Sequence, residues 1–313
     1  MSLDPEMRAI DGIRAALGEQ AEAIAFNWQG TIDHLDPESL HDLRVGVRRS
    51  RTILGQGKRV LSPLITAHAR EWFGWLGALT GPARDLDVHL IEWRDDSGSL
   101  GANAIAALEP VRMLLERRCL LAHATLGGQL RSAVAEAPMI AWQTWLAEPI
   151  AADSSGAHAE RPLGVLVARR IERAQATLVD RGRLIDPGTV AEQLHDLRKD
   201  AKTLRYLLEC FRSLLPDDAR TDVVRRLKSL QDNLGEHQDA SVRWAVLRAA
   251  AHELGGHDPS APSAFTEAAI VQLLGIVDQR RLTARAEFAR CFAAYDTSAT
   301  ASTFRAMLHP LER

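Results

Sequence analysis

The chain has 313 residues, 46% hydrophobic and 25% charged, a make-up that fits a globular protein long enough for two ordinary domains. Its formal charge of −3 gives no whole-molecule basic field, so a site for a polyanion has to arise from local segregation of charge. No stretch approaches the roughly 18 uncharged apolar residues of a membrane span, and the charged N-terminal segment lacks the apolar core of a secretory signal; a cytoplasmic protein is expected.

Alanine, leucine and arginine are abundant and β-branched runs are scarce, which favours helix throughout. An amphipathic helix is predicted near residues 5–28. A second follows Pro37 and stops near Ser62-Pro63. A third covers about 64–93, broken at Gly81-Pro82 because proline cannot continue a helix ladder. A loop, DDSGSLGAN, follows at 95–103, then a long helix over about 104–135 and a short one holding Trp142 and Trp145. Residues 151–162 (AADSSGAHAERP) are small, polar and aperiodic, and read as a linker between a first half, 1–150, and a second half, 163–313. The second half repeats the plan, with helices predicted near 163–182, 189–214, 217–252, 264–295 and 300–311 and a loop, GGHDPSAPS, at 255–263. No strand pattern competes. The expected fold is all-α, two pseudo-symmetric helical bundles of about four main helices each, related by an internal repeat. Cys119, Cys210 and Cys291 are odd in number and widely spaced, and are expected to be small buried apolar side chains, not a disulfide framework or a metal knuckle.

The repeat is carried by a word. Leu-His-Asp-Leu-Arg starts at Leu40 and again at Leu194, so 154 residues separate His41 from His195. The same offset then pairs Arg48 with Lys202, Arg51 with Arg205, Leu76 with Leu230, Gly81 with Gly235, Asp85 with Asp239 and Val88 with Val242. Ungapped self-similarity of this kind marks a duplicated unit.

At about 100° per residue, His41, Arg44, Arg48 and Arg51 share one arc of about 80° along about 15 Å of helix axis. His195, Arg198, Lys202 and Arg205 repeat it. Leu40, Leu43, Val47 and Leu54, matched by Leu194, Leu197, Ala201 and Leu208, take the neighbouring arc and are expected in the core. A basic stripe on a single helix is ordinarily a solvated face. This one is duplicated and flanks the buried arc instead of opposing it, so the cations are expected at an edge where helices meet. Like charges at i,i+4 cost a few tenths of a kcal/mol per pair, which an external anion offsets. Residues 41–59 carry six Lys/Arg against one acid, Asp42.

Two weaker pairs and one unpaired lysine accompany the stripe. GPARDLDV at 81–88 matches GEHQDASV at 235–242; Arg84 adds a cation, and Asp85 and Asp239 are placed to accept bidentate bonds from stripe arginines. Glu116-Arg117-Arg118 resembles Gln279-Arg280-Arg281. Lys228 is a further candidate contact, standing where the first half has Gly74.

LHDLRVGVRRSRTIL, WFGWLGALTGPARDLDVHL, LHDLRKDAKTLRYLLECF and RLKSLQDNLGEHQDASV resemble the four signature blocks of the CHAD family, the conserved histidine α-helical domain. The resemblance spans the chain. It implies a helical fold of two pseudo-symmetric four-helix bundles with a basic surface or pore between them that binds inorganic polyphosphate. By position, the family's histidines fall on His41 and His195 and its basic ligands on Arg44, Arg48, Arg51, Arg84, Arg198, Lys202 and Arg205, with Arg49, Arg117, Lys228 and Arg280 as secondary candidates. The second block carries Gln238 where the first has Arg84, which makes that contact one-sided unless His237 substitutes. The resemblance also implies polyphosphate granules and polyphosphate- or triphosphate-processing enzymes as partners.

The expected function is therefore non-catalytic polyphosphate binding, with no cofactor. The stripes lack the interleaved aromatics that base stacking needs; Tyr206 stands alone among them, so nucleic acid is not the expected main ligand. Two other readings stand beside this one. The His41-Asp42 and His195-Asp196 doublets have the form of the His-Asp ligand pair of metal-dependent phosphohydrolases, without further His or Asp at convincing spacing. A basic groove also suits an adaptor that docks an acidic protein.

Overall fold

In the computed structural model the described residues are 3–150, 155–255 and 264–312. They form α-helices α1 (Ala9–Ile32), α2 (Pro37–Gln56), α3 (Pro63–Leu79), α4 (Gly81–Ser97), α5 (Ala102–Ala107), α6 (Glu109–Leu130), α7 (Ala133–Ala147), α8 (Leu163–Gly182), α9 (Ala191–Cys210), α10 (Asp217–Gly255), α11 (Ala264–Tyr295) and α12 (Ser298–Leu308). Among the described residues there is no strand, only two isolated bridges. The fold is all-α, as its sequence predicts. None of these helices is long and apolar enough to cross a membrane.

Helix starts follow from local chemistry. The Asp36 side chain accepts from Ser39 N–H at 2.8 Å and Pro37 opens α2, a capped start with a pre-set φ. Ser62 and Pro63 repeat that device for α3. The break expected at Gly81-Pro82 occurs: α3 ends, Thr80 sits fully buried, and α4 begins. In the second half Glu236 stands where Pro82 stood, and α10 runs unbroken for 39 residues.

Three predicted boundaries need correction. α2 ends at Gln56, with Gly57 as its C-cap, and not near Ser62-Pro63. Residues 95–97 of the expected loop belong to α4, where the Asp96 carboxylate is buried against arginines that local patterning does not reveal. The long helix expected over 104–135 is three pieces, because the chain turns at Leu108 and again at Arg131-Ser132. Of the predicted linker, 151–154 lie outside the described residues; 155–162 are tied down by backbone bonds from Gly156 to Val60, His158 to Arg59 and, in return, Ala9 to Arg161. Residues 256–263 of the second predicted loop also lie outside the described residues.

All eight predicted apolar positions on α2 and α9 are buried, none more than 3% exposed. Gly46 lets α1 and α2 approach: a Cβ there would stand 2.8 Å from Ile24 and 3.3 Å from the Gln20 carbonyl. Cys119, Cys210 and Cys291 are buried and free. The larger apolar cluster gathers α1, α2, α3, α8 and α9 with the start of α10. A smaller one joins Trp93, Leu108, Val111 and Leu115 to Leu247, Ile270, Leu273 and Val277. Each cluster draws on both halves of the chain, so the halves share their cores.

Candidate anion-binding groove

Because the apolar arcs of α2 and α9 are buried side by side, their adjoining basic arcs rise along a common edge. Two hollows open there. One, of about 650 Å³, is lined by His41, Arg48, Arg49, Arg198, Lys202, Arg205 and Tyr206, with Asp42, Glu209, Asp232, Glu236 and Asp239 on its other walls. The adjoining one, of about 450 Å³, is lined by Arg48, Arg51, Arg70, Lys199, Lys202 and Tyr206 and has no carboxylate in its wall. Arg48, Lys202 and Tyr206 border both. Six of the eight stripe residues thus line one groove, all but Arg44 and His195, and carboxylates gather at one of its ends.

The second copy of the stripe is largely engaged within the protein. Arg198 Nη2 donates to both Asp239 oxygens, at 3.0 and 3.2 Å, through one nitrogen and not as a fork. Arg205 donates to Glu209 at 2.6 Å and approaches Gln231 at 3.4 Å. Arg49 reaches the other Glu209 oxygen at 2.6 Å. Burial alone would raise the Glu209 pKa, but the bonds from Arg205 and Arg49 outweigh it and hold the carboxyl below its usual range. His195 Nδ1 lies 3.0 Å from Gln238 Oε1; with Oε1 as acceptor, Nδ1 carries the hydrogen and a neutral ring presents only a lone pair at Nε2.

The remaining groove cations are unpaired. Among the described residues no hydrogen bond or ion pair engages Arg48, Arg51, Arg70 or Lys202. Burial, then Arg198 and Arg48, press the Lys202 ammonium down to a pKa of about 8. Burial, then Arg48, brings Arg44 to about 10. His41 is lowered by burial and by Arg84. Each shift records the cost of holding positive charge where water is scarce and cations crowd.

Several predicted residues sit elsewhere. Arg44 lies behind the groove wall, donating to the Gly77 carbonyl at 3.0 Å and to Thr80 Oγ1 at 2.8 Å. The helix break at Thr80 explains this, because it leaves carbonyls of the last α3 turn without helical partners. Asp85 therefore receives no bond from the stripe, against the expected clamp. Arg84 donates to the Pro37 carbonyl at 3.2 Å and fastens the start of α2. Arg117 is exposed on α6, Lys228 pairs with Asp232 at 2.5 Å, and Arg280 binds the buried Asp96; none of the three lines the groove. His237 is buried, its charge opposed by desolvation and by Arg281 and Arg285.

Arg70 and Lys199 complete the carboxylate-free hollow and escaped the sequence reading. Arg70 comes from α3 and joins through tertiary packing alone. Lys199, one position from Arg198, lies about 100° away on the wheel and pairs with Asp196 at 3.0 Å on its exposed side. A hollow elsewhere, beside α1, offers a contrast: Asp11, Glu19 and Glu22 accompany its Arg14 and Arg212, and both arginines are bonded within the protein.

A sequence model of the CHAD domain matches residues 15–248. The fold is similar to the crystal structure of the CHAD domain from the plant Ricinus communis, with a TM-score of 0.69 and 26% identity over 99% of this chain and 94% of that one. It is also similar in fold to PptA from Streptomyces chartreusis, with a TM-score of 0.67 and 20% identity over 92% of this chain and 100% of that one. No curated protein matches the chain.

Proposed function

This chain belongs to the CHAD domain family, and from that footing we propose that it binds inorganic polyphosphate, without turning it over, in the groove between α2 and α9. The carboxylate-free hollow carries the reading: Arg48, Arg51, Arg70 and Lys202 stand together with no carboxylate in that wall and, among the described residues, no ion pair of their own. Arginine forks onto phosphate oxygens, and a chain of phosphates supplies them at every unit. Arg48 and Lys202 border both hollows, so a bound chain centres on that pair and extends toward Arg51 and Arg70. At the other end, five carboxylates stand with five Lys/Arg and leave less free positive charge for it.

Competition tests the ligand class. Short polyphosphate is expected to displace a bound RNA oligonucleotide at equal charge concentration, because Tyr206 is the one aromatic on the groove wall. RNA displacing polyphosphate would reverse the assignment. Affinity is expected to fall steeply with salt, by analogy with counterion release from nucleic acids. Docking to a polyphosphate granule, or to an enzyme that handles the same polymer, is a use of this same surface.

One observation favours a second reading. Ligand atoms of Glu38, His41 and Asp42 lie within 4.8 Å of one another at the mouth of the groove, a set that suits a divalent cation and a metal-dependent phosphohydrolase. Its counterpart is tied up, with His195 on Gln238 and Asp196 on Lys199. Incubation with polyphosphate and Mn²⁺ or Mg²⁺ separates the readings: intact polymer supports binding alone, and released phosphate that disappears in His41→Gln supports hydrolysis.

A further inference from the structure

A second cluster of metal-ligating side chains lies outside the groove. His34 occupies the turn between α1 and α2, Asp87 lies on α4, and Cys119 and His123 lie one turn apart on α6. Asp87 and His123 are 4% exposed and Cys119 5%. His123 Nε2 stands 2.8 Å from Asp87 Oδ1, and the Cys119 thiol donates to that same oxygen at 3.4 Å. The His34 ring stacks on the His123 ring, centroids 3.5 Å apart. Ligand atoms of His34, Asp87 and His123 all lie within 4.8 Å of one another.

Three features of this cluster are costly as they stand. His123 Nδ1 and Asp87 Oδ2 are buried without a hydrogen-bond partner, a situation native proteins mostly avoid. His34 adopts φ 49°, a left-handed conformation uncommon for residues with a side chain and typical of sites under constraint. Among the described residues no Lys or Arg bonds the cluster; Arg94 shares the adjoining hollow of about 570 Å³ but pairs with none of the four. A bound ion would use the idle lone pairs and give the strained turn a reason.

We propose that His34, Asp87, Cys119 and His123 form a binding site for a divalent transition metal of the zinc class. Two imidazoles, a thiolate and a carboxylate are the donor types zinc takes in tetrahedral sites, whereas a sulfur ligand disfavours magnesium and calcium. Tetrahedral bonds of about 2.1 Å to N or O and 2.3 Å to S put neighbouring donors roughly 3.4–3.6 Å apart. The Cys119–Asp87 separation already meets this and the Asp87–His123 pair opens slightly, while Cys119, outside the 4.8 Å spacing shared by the other three, closes on the histidines. The stack also opens, because parallel rings cannot both aim a nitrogen at one ion, and the partly exposed His34 is the ring that turns. On binding, the Cys119 thiol releases its proton to solvent, and thiolate and carboxylate together balance the dication. The hollow beside Asp87 and Cys119 supplies an entry path. The ion would pin α4 to α6 and to the turn that leads into α2. The site is separate from the groove and stands or falls independently of polyphosphate.

The probe is Co²⁺, titrated into the full chain after chelator treatment. One equivalent is expected to bind with the near-ultraviolet thiolate-to-cobalt charge-transfer band and the intense visible bands of tetrahedral Co²⁺, and Zn²⁺ is expected to displace it. Cys119→Ser is expected to lose the charge-transfer band. His34→Asn keeps a residue that tolerates the left-handed turn and is expected to weaken binding at least tenfold with helicity unchanged. Added metal should raise the thermal midpoint of the wild type but not of His34→Asn. His41→Gln controls for the Glu38–His41–Asp42 set and should retain the band. Absence of the band, unchanged binding in both His34→Asn and Cys119→Ser, or loss confined to His41→Gln overturns the proposal.

Discussion

Lys202 shows at the scale of one residue how a ligand site is held at a cost to the fold. Burial and neighbouring arginines depress its pKa to about 8. Between that value and the ordinary lysine range the unfolded chain binds more protons than the folded one, so this residue makes stability rise with pH across that window and exerts its full penalty below it. Lys202→Met removes the buried charge while keeping the stem's volume. It is expected to raise stability near pH 7 by about 1 kcal/mol, read as a higher thermal midpoint, while polyphosphate affinity drops; a lower midpoint would make Lys202 a structural residue. In the wild type, affinity is expected to weaken from pH 7 to pH 9 as the ammonium discharges. Arg at the same position stays charged, so a Lys202→Arg profile should be flat there. His41, also lowered by burial and Arg84, adds a gain in affinity below pH 6.5 that His41→Gln lacks. The residue pattern in the sequence gives the cations but not their partners. Glu209 serves Arg205 from within α9, a spacing of four that could have been read, but it serves Arg49 across two helices, and that pairing exists only after folding.

Elements carry the difference between cations that bind and cations that build. α2 is opened by Pro37 and buried along Leu40, Leu43 and Val47. Periodicity and proline placement made each of these features readable, as they did the α3–α4 break and the unbroken α10. What patterning along one helix did not give is the destination of Arg44. The wheel puts it with Arg48, yet the open end of α3 captures it. Arg44→Ala is therefore expected to destabilise the fold by about 1–2 kcal/mol, from two lost charge-assisted bonds, and to weaken polyphosphate binding less than Arg48→Ala does. Denaturant unfolding alongside a binding titration measures both. Equal loss of affinity in the two variants, with stability intact, would return Arg44 to the ligand.

At the scale of the molecule the two halves are joined by a buried charge cluster, one turn of α10 beyond Asp239 of the groove wall. Arg243 is 3% exposed and Asp96 fully buried. Arg243 pairs with Asp96 and with Glu92, the latter at 2.7 Å, and donates to the His89 carbonyl at 3.1 Å; Arg280 takes the other Asp96 oxygen. This cluster links α4 to α10 and α11 beside the smaller apolar core. Removing one partner strands a charge, so Arg243→Leu is expected to cost about 3–5 kcal/mol, read in chemical denaturation, with helices at both ends of the molecule lost together. A loss below about 1 kcal/mol would mean the cluster is incidental. In the sequence Asp96 falls in a loop-like segment and Arg243 carries no signal, because a buried ion pair between halves has no local periodicity. The all-α class and the stripes needed only local pattern and were legible.

Calorimetric titration of defined-length polyphosphate into the wild type and into Arg48→Ala combined with Lys202→Ala tests the account most directly. The groove predicts saturable, salt-sensitive binding in the wild type, and in the double variant at least a tenfold weaker affinity with a salt slope reduced by roughly 2 and helicity unchanged. Polyphosphate that binds the correctly folded double variant as tightly as the wild type would place the anion somewhere other than between α2 and α9.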